Sequence, residues 1–197
     1  MKIGNYIVIA GAILSILPLF LFYMLPDVIY FWGIDTNGFP GSDLSLYLGG
    51  FYSGAYSSNG GPLNVNLIDS MEITMLCLSF LIVGGFVAML IGGVSGKRSS
   101  SLGGGFFLLF GLFILLGSLL DEFGMFGELT SNLSLVGRNL LFGSSNQGGV
   151  IITWGLGIGF YLTLIGGVLG LIGSIMMEKG ERVYLFSQAF WYEKMNR

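Results

Sequence analysis

The sequence predicts an all-α membrane protein, a four-helix transmembrane bundle with a small extracytoplasmic antiparallel β cap. Three observations carry that expectation. Of 197 residues, 53% are hydrophobic and 10% charged, with a mean hydropathy of +0.82, whereas a soluble domain carries about 25% charge. Four uncharged apolar stretches reach the roughly 20 residues that a helix needs to cross about 30 Å of hydrocarbon. Finally, the basic residues are sorted by side: Lys2, Lys97, Arg98, Lys179, Arg182, Lys194 and Arg197 fall on one side of the topology and Arg138 alone on the other.

The first span covers about residues 6–25. Lys2 resembles the basic start of a signal peptide, but the apolar run exceeds the usual 7–15 residues of one and no small-residue cleavage site follows, so a retained anchor is expected. Pro26-Asp27 stops it. The second span covers about 73–94 and the third about 102–120, a hairpin closed by the short Gly96–Ser101 turn. The fourth covers about 150–177. Segments 26–70 and 121–149 are broken by acids, Asn, Pro and Gly and form outer loops, so residues 1–197 read as one four-span domain. The positive-inside rule puts both termini in the cytoplasm, at the cell (plasma) membrane. Asp27, Asp35, Asp43, Asp69, Glu72, Asp121, Glu122 and Glu128 then lie outside.

The outer loops carry strand signals. Leu44, Leu46 and Leu48 alternate with polar positions, as do Leu63, Val65 and Leu67, around a Ser57–Pro62 turn. Val28–Trp32 and Leu133–Val136 supply third and fourth candidates, and a small sheet is expected because an isolated hairpin is marginal. Asn132-Leu133-Ser134 is an N-glycosylation acceptor pattern.

Small residues mark close helix contacts in lipid. Gly84, Ala88, Gly92 and Gly96 recur every four residues; Gly104, Gly111 and Ser118 every seven; and Gly155, Gly159, Gly166, Gly170 and Gly173 stripe the fourth span. These stripes serve packing within the bundle or recruitment of another protein. Tyr30, Phe31, Trp32, Tyr47, Phe51, Tyr52 and Tyr56 of the first loop are candidate extracellular contacts, or pack the cap onto the bundle.

Chemistry is sparsely provided for. Histidine is absent and Cys77 is the lone cysteine, which excludes His-ligated metal, Ser-His-Asp and Cys-His catalysis and an intrachain disulfide. The nine methionines are scattered without a copper-type pairing, so no cofactor is expected. No ionisable residue sits in mid-span, where proton relays and ion carriers usually hold one. Glu72, Asp121 and Glu122 come out at similar depth at the outer edge, either as a weak cation site or as markers of where helices enter water. The tail, 178–197, crowds Val183, Tyr184, Leu185, Phe186, Phe190, Trp191 and Tyr192 among polar residues and reads as an interfacial segment or a partner-binding helix.

This layout resembles claudin-like tetraspan proteins: cytoplasmic termini, a long first outer loop with Trp32-Gly33, a short inner turn and a shorter second outer loop. The first loop lacks the family's Gly-Leu-Trp and cysteine pair. The resemblance implies a sheet built from both outer loops and a non-catalytic protein that touches its neighbours through it. The expected role is therefore a structural, scaffold or assembly subunit. Its partners are membrane lipid and other membrane proteins or copies of itself, with no nucleic acid. Rival expectations are an accessory subunit of a respiratory or transport complex, and a multimeric cation-permeable pore.

Overall fold

The computed structural model describes residues 3–21, 24–25, 28–37, 44–46, 52–54, 57–58, 61–62, 65–120, 141–147 and 150–177. Helix α1 runs Ile3–Leu21, α2 Val65–Ser95, α3 Arg98–Leu119 and α4 Ile158–Met176. Strands β1 (Trp32–Asn37), β2 (Leu44–Leu46), β3 (Tyr52–Gly54), β4 (Ser57–Ser58) and β5 (Gly61–Pro62) lie between α1 and α2. Strands β6 (Phe142–Gln147) and β7 (Val150–Leu156) precede α4. Among the described residues four helical segments are long and apolar enough to cross a membrane: Ile3–Leu21, Leu76–Ser95, Arg98–Gly117 and Ile158–Met176.

The helices form an antiparallel ring. Helix α1 packs on α4 and α2, α2 on α3, and α3 on α4. Their outward residues stay apolar, among them Ile13, Phe20, Phe80, Phe113 (70% exposed) and Ile175. Water would penalise such a surface and acyl chains suit it. Val8, Ala12, Ile82, Met89, Leu108, Leu112, Leu115 and Phe160 fill the interior.

At one end of the ring sits an antiparallel five-stranded sheet, ordered β3-β2-β1-β7-β6, beside the separate β4–β5 hairpin. Its central pair joins the segment between α1 and α2 to the one between α3 and α4: Trp32 lies opposite Leu156, Ile34 opposite Trp154 and Thr36 opposite Ile152. Strand alternation turns Trp32, Ile34, Ile152 and Trp154 inward, and they belong to the same core cluster as the helices. Gly143 of β6 lies opposite Trp154, and a Cβ there would stand 2.5 Å from the indole. The glycine makes the flat bed on which that ring lies.

Several sequence expectations are corrected. The fourth span begins at Ile158, because Val150–Leu156 is β7. Val150, Ile151, Ile152, Thr153 and Trp154 are β-branched or aromatic, and the continuous apolar run hid the change from strand to helix. Val65 and Leu67 belong to α2, whose 31 residues also include Asp69 and Glu72. The alternation through Leu63 ends at Ile68, and Leu67, Ile68 and Met71 repeat at helical spacing instead. Residues 28–31 form a turn in which Ile29 N–H donates to Leu25 O at 2.9 Å, and β1 starts only at Trp32. The expected strand at 133–136 and the tail 178–197 lie outside the described residues.

Candidate functional site

The densest assembly of predicted residues is the seam between α1 and α4. A Cβ on Gly166 would stand 2.6 Å from both Gly11 O and Ser15 N; one on Gly11 would stand 2.6 Å from Gly166 O; one on Gly173 would stand 2.7 Å from Val8 N. Backbone therefore lies on backbone from Gly4 to Ser15, the close approach that only small residues permit. Polar side chains close the same seam. Buried Thr163 Oγ1 donates a shared bond to Gly159 O (3.0 Å) and, across the seam, to Ser15 O (3.2 Å). Ser15 and Ser174 hydroxyls donate to Ala12 O and Gly170 O within their own helices.

The second seam is the α2–α3 hairpin. A Cβ on Gly104 would lie 2.6 Å from Gly85 O, and one on Gly92 would overlap the Ser101 hydroxyl. Gly111 is looser, with Leu78 and Leu81 side chains at 3.2 Å. Gly84, named from its four-residue repeat, is exposed and would meet only Phe107, at 3.6 Å. Ala88 is half-buried, and its carbonyl accepts from the Ser100 hydroxyl at 3.0 Å. On that turn the tightly seated residue is Gly85. Gly170 faces inward, against the Met89 side chain. Gly155 is not a helix-packing residue: it lies in β7, paired with Gly33 and Phe142.

The third assembly is the junction of sheet and helix. A single residue, Gly157, separates β7 from α4, and it caps the helix without a side-chain bond. Its N–H donates to Phe31 O at 3.0 Å, and Gly159 N–H donates to Tyr30 O at 3.0 Å. These bonds occupy amide donors that a helix start leaves orphaned. Phe31 (1% exposed) and Trp32 (0%) are buried in the core cluster. They are not outward contacts, because their rings fill the space where sheet meets bundle. Tyr30 is half-buried.

Tyr47, Phe51, Tyr56, Asp121, Glu122 and Asn132 lie outside the described residues, as do the side chains of Tyr52 and Glu72. Among the described residues no group of three or more His, Cys, Asp or Glu could hold a metal ion. Cys77 is exposed on α2.

Sequence reading passed over Gly4, Gly11 and Ser15 of α1, Gly85 and Gly93 of α2, Gly105 of α3 and Gly167 of α4, all of which sit in contacts. For α1 the signal was present, since small residues at positions 4, 11 and 15 share one helical face. Asn5 was also missed; its side-chain N–H donates to Gly93 O at 3.0 Å and ties α1 to α2.

The class these features define is a four-helix bundle of membrane-spanning length, consistent with a tetraspan topology, with an antiparallel sheet at one end. No protein-family model matches the chain, and no curated protein matches it. No family match supports the claudin resemblance.

Proposed function

We propose that the chain is a non-catalytic integral protein of the plasma membrane that serves as a scaffold or assembly subunit, with its sheet outside the cell and both termini in the cytoplasm. The observation that carries the reading is how the helices spend their surfaces. The inward faces close on one another glycine against backbone, with a Cβ at Gly11, Gly104 or Gly166 meeting atoms at 2.6 Å. The outward faces present large aromatics, including Phe106, Phe107, Phe110 and Phe113 along α3. Such a body meets lipid and neighbouring proteins with what it leaves outside, and aromatic side chains give rigid contact area. The basic residues favour this orientation, because Lys97 and Arg98 lie at the end of the ring opposite the sheet.

Purification in mild detergent followed by native mass spectrometry tests the role. A homo-oligomer or a complex with other membrane proteins is expected, and a lone monomer under conditions that preserve other assemblies overturns it. Co-purifying haem or flavin subunits would mark an accessory subunit instead, and cation currents in bilayers a pore. Orientation is tested separately in a Cys77→Ser background. A membrane-impermeant thiol reagent on intact cells should label Ser144→Cys and leave Lys97→Cys unmodified; the reverse pattern overturns the orientation.

A further inference from the structure

The end of the ring away from the sheet gathers the start of α1, the α2–α3 turn and the end of α4. Gly4 lies against Gly173 and Met177, and Asn5 bonds Gly93. Arg98 opens α3 there. Its Nε is buried and has no hydrogen-bond partner, an arrangement that costs free energy and that is relieved when the side chain turns to meet an acceptor. Lys97 beside it is exposed, as is Ser99, while the hydroxyls of Ser100 and Ser101 are turned inward onto Ala88 O and Lys97 O.

Helical spacing fixes what lies below Arg98. It precedes Gly105 by seven residues and so shares its face of α3. That face looks at α4: a Cβ on Gly105 would meet Leu171, and one on Gly167 would meet Leu108 and Leu109. Arg98 therefore stands at the mouth of the α3–α4 groove, whose outer walls carry exposed Phe106 on α3 and exposed Val168 and Ile175 on α4. From Arg98 to Phe106 is about 12 Å along the helix at 1.5 Å per residue. A guanidinium beside exposed Lys97, in line with exposed apolar side chains over that length, has the polarity of a phospholipid.

We propose that Arg98, assisted by Lys97, holds the phosphate of an anionic phospholipid whose acyl chain lies along the α3–α4 groove past Phe106, Val168 and Ile175. The guanidinium turns its Nε–H and one terminal N–H onto two phosphate oxygens, the planar match that arginine makes and lysine does not. The groove distinguishes this occupant from free phosphate, which has no use for it.

The test is native mass spectrometry of the delipidated full chain, titrated with phosphatidylglycerol, with phosphatidylcholine of the same acyl chains, and with inorganic phosphate. Phosphatidylglycerol should bind about tenfold more tightly than phosphatidylcholine, and Arg98→Gln should remove about that factor while leaving phosphatidylcholine unchanged. Millimolar phosphate should not displace the lipid. Equal binding of the two lipids, wild-type phosphatidylglycerol affinity in Arg98→Gln, or displacement by phosphate overturns the proposal. Should Arg98→Gln fail to fold, Arg98→Lys keeps the charge and loses the fork. It should bind phosphatidylglycerol about threefold more weakly, and undiminished affinity there is equally fatal.

Discussion

Replacing Gly166 by alanine sets one methyl group against the backbone of another helix. The new Cβ would sit 2.6 Å from Gly11 O and Ser15 N and 2.8 Å from Ser15 Cβ, where ordinary contact begins at 3.4 Å. No flexible side chain can yield, so α1 and α4 must part by about 0.8 Å, and a gap of 0.5–1 Å forfeits roughly a quarter to a half of each dispersion contact along the seam. The Thr163–Ser15 bond, already 3.2 Å, is stretched in the same movement. Overpacking of this kind costs about 1–3 kcal/mol, partly offset by the roughly 1 kcal/mol helix preference of alanine over glycine. A net loss of up to about 2 kcal/mol is expected, and a deficit of about 1–3 kcal/mol relative to a glycine-to-alanine change that meets no neighbour. Denaturant titration in mild detergent, followed by tryptophan fluorescence, measures it. Gly103→Ala is the matched control, since a Cβ there meets nothing within 4 Å. It should be neutral or slightly stabilising. Equal stability of the two variants would refute the claim that the seam is backbone on backbone.

Gly157→Ala should be harsher, because its Cβ would overlap the Tyr30 carbonyl and ring. Losing the bonds that dock the start of α4 on Tyr30 and Phe31 should loosen sheet from bundle, read as faster proteolysis within the sheet while helical circular dichroism is retained. Gly96→Ala isolates a backbone effect. Gly96 has φ +72° and its Cβ would meet only Asn5 Nδ2, at 3.7 Å, while Lys97 N–H reaches back to Gly92 O at 2.9 Å in a left-handed helix stop. About 1 kcal/mol of destabilisation should appear in the same titration, with no change in oligomeric state.

How much could be read from the chain follows from which signals survive burial on all sides. Helices α1 and α3 were legible within a few residues, since hydropathy over twenty positions needs no knowledge of neighbours. The start of α4 was not, because β7 and α4 are both apolar and Gly157 is the only punctuation between them. The length of the run was the missed clue: residues 150–177 exceed the roughly 20 needed for a crossing. Glycine repeats identified the packing helices but not the facing residue, as Gly84 and Gly85 show. A helix hydrophobic all round has no polar face to fix its rotation. Sequence leaves Phe31 and Trp32 open as outward contacts or as packing, and only three-dimensional placement decides between those for an aromatic beside a membrane-length helix.

The one-residue link between β7 and α4 has a mechanical consequence. Gly157 is pinned through its amide to Phe31, so strand and helix share a joint with little free play. Torque applied to the sheet is delivered to α4 and, through its glycines, to α1, whereas the α2–α3 hairpin is geared to them by side chains such as Met89 and Leu171. Pulling on the sheet would swing one pair of helices as a stalk against the other.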